Sequence, residues 1–406
     1  MRPVEKQIQF LLKMLEVRRR VSYLGTWLDM KTENYECGVL GLGGMGSATL
    51  YSLARRGVRV CGIEQFGIAH DRGSSHGETR IIRKAYFEHP DYVPLLSRSY
   101  ELWQELERES EQKLFVQCPL ICAGKADAEV IKGLELCYQR YELPHQRLRA
   151  PDARKRYPQF RFPDDFVVYQ DPVAGFLYVE KCIAAHLKLA TKLGAKVYSD
   201  ERVVAWREEG KGVRITTDGR EIVCENLIIT AGPWAVRQLA SLKLPLQVWR
   251  RVVFWYDSAN LSDYTQGLFP IFYVECQGGG FYGFPVINEF GLKVAEHVKP
   301  QPITDPDSVN RELLRDDEPP ILSFLGECLP QFQPRRVKYS VCLYTMTPDG
   351  HFIIDHHPRH PNVVFAAGFS GHGFKFATVV GEILSDLALQ GKTALPIKFL
   401  RLGRFL

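Results

Sequence analysis

What this chain lacks narrows what it can be. No stretch of its 406 residues approaches the roughly 18 consecutive apolar residues of a membrane-spanning helix, so no membrane span is expected. Its ten cysteines never fall as C-x-x-C, and no zinc-ligand spacing occurs. That excludes the common zinc modules and redox dithiols and leaves reduced, mostly buried thiols of a cytoplasmic protein as the expectation. No metal site is expected. The 52 basic and 47 acidic residues leave a net charge of only +5, with no basic stripe carrying interleaved aromatics. A nucleic-acid partner is therefore not expected. No internal repeat or low-complexity tract breaks the chain. What remains, 45% apolar and 24% charged residues, is the composition of an ordinary globular protein, long enough for about two to three domains.

The first 34 residues lack an uninterrupted apolar core, so they do not read as a secretory signal. Glu5 and Glu16 argue against a mitochondrial transit peptide. A weakly amphipathic helix over residues 5–20 and a peripheral extension, 1–34, are expected, with Met30 a natural start for the folded part.

Tyr35 to Glu64 is the most informative stretch present. CGVLGLG is an apolar run stopping at Gly41, Gly43 and Gly46 in the spacing G-x-G-x-x-G. SATLYSLARRG follows with helical periodicity, then VRVCGI, then Glu64, 18 positions after Gly46. Gly41 permits a tight turn, Gly43 lets backbone approach a pyrophosphate, and Gly46 lets helix pack on strand. The helix N-terminus supplies partial positive charge, and Glu64 can accept hydrogen bonds from a ribose. The pattern predicts dinucleotide binding, and an acid at that place favours a bare ribose over a 2′-phosphate. The motif alone leaves NAD and FAD both open.

Similar features recur later. Residues 165–195 read as strand, turn and helix, residues 196–232 as a β-meander ending in a buried strand, and residues 362–389 as strand, Gly-rich turn and helix. Between them lie aromatic strands, most plainly over 245–300. The expected fold is α/β: a discontinuous Rossmann-like dinucleotide domain with an inserted substrate domain on a mixed, largely antiparallel sheet. The expected division is 35–115, 180–240 and 335–406 for the cofactor domain, and 116–179 and 241–334 for the substrate domain.

The motifs GSSHGETRIIRKAY, TAGPW, YGFP…GLKVAEH, CLYTMTPDGHFIID and AAGFSGHGFKFA occur in this order between Tyr35 and the C-terminus. In this they resemble the monomeric sarcosine oxidase and N-methyltryptophan oxidase family, and the ending FLRLGRF resembles the latter more. The resemblance implies a flavin amine oxidase, with FAD held covalently, that oxidises secondary amino acids and passes electrons to oxygen. It implies a thioether from Cys342 to the flavin and places the oxygen-activating lysine at Lys293. A fixed cation there would stabilise developing superoxide in a dry site. Arg83 and Lys375 match residues that clamp the substrate carboxylate, and Arg80 matches a flavin-facing arginine. In a helix Arg80 and Arg83 would share a face; in a strand they would point oppositely.

The same resemblance places Tyr282, His297 and Tyr344 at the reaction site and Tyr273 in the substrate pocket. Around FAD it places Gly41, Gly43, Gly44, Met45, Gly46, Glu64, Ser74, His76, Thr79, Arg80, Val203, Ala231, Gly232, Trp234, Gly371, Gly373 and Lys375, with Thr230 beside them. There are departures. Ser75 stands where sarcosine oxidase has a histidine, Glu78 where it has aspartate, and Tyr273 where a methionine lines the pocket. These leave the substrate side chain open. The alternatives are a flavin oxidase of a cyclic imino acid or other amino acid, and an FAD electron-transfer protein without oxidase activity. The ending RFL offers no SKL-like peroxisomal signal. A cytoplasmic monomer acting on a small molecule is expected.

Overall fold

The computed structural model describes residues 32–297 and 300–405; the helix expected over 5–20 lies outside the described residues. The opening unit forms where the glycine pattern puts it. Strand β1 is Thr32–Leu40, helix α1 is Gly44–Arg55 and strand β2 is Val60–Ile63. β1 and β2 pair in parallel, Cys37 beside Val60 and Leu40 beside Ile63. β1 begins inside the expected extension. Thr32 pairs with Glu221, and the Glu33 carboxylate accepts bonds from the Tyr35 and Tyr198 hydroxyls and from Arg220. Residues 32–34 thus belong to the first strand, because Glu33 at its start finds partners in its own strand and in later segments of the sheet.

β1 and β2 lie in an eight-stranded sheet. From one edge its order is Val203–Glu209, Gly212–Thr217, Glu221–Ile229, β1, β2 and Lys196–Tyr198. The end of Glu221–Ile229 also pairs in parallel with His360–Ala367, which carries Ile353–His357 antiparallel on its other side. Segments from the start, middle and end of the chain therefore share one sheet. α1 has nine buried residues, Leu50 and Leu53 among them, because helices Val179–Lys192 and Ala377–Gln390 pack along it.

A nine-stranded sheet forms the second layer. Its central order is Arg335–Met346, Gln247–Asp257, Leu292–Glu296, Gly279–Phe284, Ile271–Cys276, Leu120–Lys125, Phe166–Asp171 and Gln146–Arg149. Among the described residues its only parallel pairing is Ile271–Cys276 with Leu120–Lys125. Arg335–Met346, which the expected boundary at 335 gives to the cofactor domain, belongs to this second sheet. It pairs antiparallel with Gln247–Asp257, putting Cys342 opposite Arg251. Stacked rings, Phe160 on Phe162 and Phe269, Phe281 on Phe324, fill the core beneath. A short three-stranded sheet joins β3 (Thr79–Ile82) to Gly175–Tyr178 and then Phe115–Gln117. β3 settles the geometry of the two arginines: Arg80 lies in the strand and Arg83 just beyond its end.

Candidate active site

A cavity of about 320 Å³ is lined by residues from both large sheets. The turn after β1 forms part of its wall. Gly41 has φ +88, and a Cβ there would meet Thr230 O at 2.8 Å. A Cβ on Gly46 would sit 1.7 Å from Gly41 O, so only glycine lets α1 start this close to the strand. Glu64, at the end of β2, is buried; Leu42 N (2.8 Å) and Phe66 N (3.2 Å) donate to its carboxylate. His70 Nε2 lies 3.3 Å away. Ser75, one of the departures, accepts from Gly44 N at 3.2 Å. Met45, Ser74, Val203, Thr230, Ala231, Gly232 and Trp234 also line the cavity. Bare glycine backbone, a helix N-terminus and a buried acid suit a dinucleotide with an unmodified ribose.

Gly46, His76, Thr79, Lys293 and Cys342 are not on the cavity wall; the last four stand behind Arg80. The Arg80 guanidinium donates to Thr79 O (2.9 Å) and Ser74 O (3.0 Å) and lies 3.6 Å from Cys342 Sγ. His76 Nδ1 is 3.9 Å from the same sulfur, and its Nε2 is 3.2 Å from Gly73 O. Burial pushes the Cys342 thiol up, but His76, Arg80 and Lys293 outweigh it and bring it down to about 6. The other nine thiols are all shifted upward, burial first among the causes. Cys342 is therefore set apart by electrostatics as well as by motif. The Lys293 ammonium is buried and donates to Gly77 O (2.5 Å), Thr79 O (2.9 Å) and Thr79 Oγ1 (3.0 Å). Burial and Arg80 hold its pKa well below that of an ordinary lysine.

Arg83, Tyr273, Tyr282, His297, Tyr344, Gly371, Gly373 and Lys375 also line the cavity. His297 is held down to about 4, chiefly by burial, and is neutral; its Nδ1 lies 3.5 Å from Tyr344 Oη. Tyr273 packs its ring on Phe87 at 5.0 Å and edge-on to His297 at 5.9 Å. Lys375 donates to His372 O (2.7 Å) and Tyr86 Oη (3.4 Å). Burial, then Arg83, lower it to about 7, with Glu88 opposing.

Arg83 has a carboxylate partner that was not expected. Its Nη2 bonds both oxygens of Glu88 at 2.8 and 2.6 Å, Nη1 bonds Ala85 O at 2.7 Å, and the guanidinium lies over the rings of Tyr86 and Phe87. Glu88 also lines the cavity; burial opposes it, but Arg83 brings it down to about 2. Glu88, Tyr86 and His372 were missed. The available signal was a lone acid five residues after Arg83, and a histidine inside the motif that carries Lys375.

The family described as FAD dependent oxidoreductase matches residues 37–387. The chain is 39% identical over 368 residues to the monomeric sarcosine oxidase of Streptomyces avermitilis, covering 89% of this chain and 96% of that one. It is 34% identical over 373 residues to the N-methyl-L-tryptophan oxidase of Salmonella enteritidis, covering 91% and 99%. Of these two the sarcosine oxidase has the higher identity, against the hint of FLRLGRF. Among solved structures, NikD, an amino acid oxidase of nikkomycin biosynthesis, superposes with a TM-score of 0.81 at 25% identity, covering 91% of this chain and 97% of that one. No helix among the described residues is long and apolar enough to cross a membrane.

Proposed function

The chain belongs to the FAD dependent oxidoreductase family, among relatives that include the monomeric sarcosine oxidases, and from that premise we propose that it oxidises sarcosine or another N-methyl amino acid. FAD, held along the glycine turn and Glu64, would supply the redox chemistry: acceptance of a hydride from the carbon beside the amine nitrogen and transfer of the two electrons to oxygen, reduced with two protons to hydrogen peroxide. Water hydrolyses the released imine; an N-methyl substrate then gives formaldehyde and the free amino acid.

The observation that carries this reading is the shared cavity. The buried cations Arg83 and Lys375 stand with Tyr282, His297 and Tyr344 in the same lining as the glycine turn and Glu64. A substrate carboxylate would take hydrogen bonds from Arg83, in exchange or in common with Glu88, and from the ammonium of Lys375. Those cations also disfavour a proton on the substrate nitrogen, against the pull of the Glu88 carboxylate, while His297 stays neutral. The amine is thereby held in the form that can release hydride, with no protein base required. The Phe87–Tyr273 wall sets the room for the substrate side chain. The lowered thiol of Cys342 suits covalent attachment of the flavin, and Lys293 suits charge stabilisation of reducing oxygen. The protein works in this reading as a cytoplasmic monomer.

A panel of N-methyl and cyclic amino acids assayed for peroxide tests it. Turnover of N-methyl amino acids is expected. Turnover of cyclic imino acids alone would move the substrate class. A flavin reduced by substrate yet stable in air would make the chain an electron-transfer protein.

A further inference from the structure

Lys293 is held by a segment whose own support comes from two carboxylates. An ammonium has three protons and no acceptor, and all three of these go to Gly77 and Thr79. Its direction is set by residues 77–79. That segment is bent in an unusual way: Gly77 has φ +87 and Glu78, a non-glycine, has φ +70. Such a pair of residues holds only where the surroundings over-determine it.

Glu180, in the first turn of helix Val179–Lys192, does so from one side. Its Oε1 accepts from Gly77 N (2.7 Å) and Glu78 N (3.2 Å), while Val179 N donates to Glu78 O at 2.9 Å. The Glu78 side chain grips the other side, on the nine-stranded sheet and the turn between two of its strands. It accepts from Trp255 Nε1 (2.9 Å), Asn288 Nδ2 (3.3 Å) and Lys338 Nζ (3.1 Å). Trp255 also lies beneath Lys293, its ring centroid 5.3 Å from Nζ. We propose that Glu180 and Glu78 are positioning residues for Lys293: together they fix the carbonyl cage that aims its ammonium, and they bring negative charge to its side. This rests on the reading of Lys293 as the cation that meets oxygen.

The charged groups around Lys293 are few. Arg80 opposes its protonation, while Glu78 and Glu180 favour it, as does the Cys342 thiolate until its sulfur is bound to flavin. His76 Nδ1 lies 3.9 Å from the Cys342 sulfur, and Lys338 pairs with Glu78 at 3.1 Å and shares the Trp255 ring with Lys293. A merely structural Glu180 would close the turn at 77–78 and leave the titration of Lys293 alone.

Two measurements on the oxidised and reduced holoenzyme separate these cases. One is the ¹³Cε resonance of Lys293, assigned by its loss in Lys293→Met and followed against pH. The other is stopped-flow reoxidation of the flavin by oxygen against pH. Glu180→Gln keeps an acceptor for both amides and removes the charge. In it, and in Glu78→Gln, the Lys293 resonance should titrate at lower pH than in wild type. The alkaline loss of reoxidation rate should move the same way, and neither charge change should alter reoxidation once Lys293 is methionine. Glu180→Ala, which also removes the acceptor, should slow reoxidation by about tenfold or more, the range in which supporting partners of a metal ligand act, with reduction by substrate unchanged within about twofold. Titration of Lys293 at the wild-type pH in Glu180→Gln would overturn the proposal, and this variant decides alone if Glu78→Gln does not fold. If Lys293→Met itself reoxidises at the wild-type rate, the oxygen reading falls, while the resonance still tests the clamp.

Discussion

Cys342 and Lys375 are the residues whose surroundings change what their chemistry can do. A thiol brought down to about 6 is largely thiolate at neutral pH, and none of the other nine is placed so. We expect flavin to stay with the chain through acid precipitation and Cys342→Ser to release all of it; free flavin from the wild-type protein would end the covalent reading. Lys375, near 7, gives a pH signature. It is charged below that value and neutral above it, so an amine-free carboxylate should bind tightly below about pH 7 and more weakly as pH rises through it, by up to about tenfold per unit. Lys375→Met should flatten this limb. Arg83→Ala should weaken binding by roughly 2–5 kcal/mol and move the limb to higher pH, because it removes a repelling cation and frees Glu88. Titrating flavin absorbance in the three proteins checks both effects, and equal dissociation constants throughout would remove these residues from the site. Arg83 and Lys375 were legible as motif positions. Glu88 was not, because its tie to Arg83 exists only once the chain turns after β3.

At the level of elements, the glycine turn, α1 and β2 were legible because their pattern is local, whereas the start of β1 was not, since its partners come from the region of residues 198–221. The glycines differ in kind, and that yields a test. A Cβ on Gly46 meets backbone at 1.7 Å and Thr230 Oγ1 at 2.6 Å, whereas one on Gly43 meets nothing nearer than Ser75 Oγ at 3.7 Å. Gly46→Ala should cost about 3 kcal/mol or more, the upper range of overpacking, and fold poorly. Gly43→Ala should melt like wild type in the cofactor-free state yet bind FAD more weakly, its new methyl lying where a phosphate must approach. Thermal midpoints with flavin content per chain distinguish the two, and equal behaviour would refute the division of roles. Strand Arg335–Met346 was harder to place. Its motif points to the flavin, but its pairing partner lies about ninety residues earlier in the chain, and no local pattern encodes such a pairing.

Across the whole molecule, alternation of cofactor-type and aromatic strand segments was enough to anticipate a discontinuous domain. What fastens the two sheets was invisible, because it consists of single polar contacts between residues far apart in the chain. Arg311 is the clearest case. Its guanidinium donates to Asp71 O (3.2 Å) and Arg72 O (2.6 Å) on the cofactor side and to Val341 O (3.1 Å), next to Cys342. Leu343 N adds a bond to Gly73 O at 3.3 Å. Trp234 and Arg237 make a second fastening, to Asp307 and to Asp305 with Asp307. Arg311→Ala leaves three carbonyls without their shared charged donor. With water able to replace part of it, a loss of about 1–2 kcal/mol is expected, seen as a drop of a few degrees in the melting of the holoenzyme. The same change should slow covalent incorporation of FAD into cofactor-free protein, because the loop carrying Ser74 and His76 is no longer fixed against the strand of Cys342. Arg311→Lys should recover little, since one ammonium cannot span carbonyls that a planar fork reaches together. Carboxylate inhibitors should bind the fully loaded variant as they bind wild type, because neither Arg83 nor Lys375 touches this fastening. Unchanged melting and unchanged incorporation in Arg311→Ala would show that the sheets are held by their apolar contact alone.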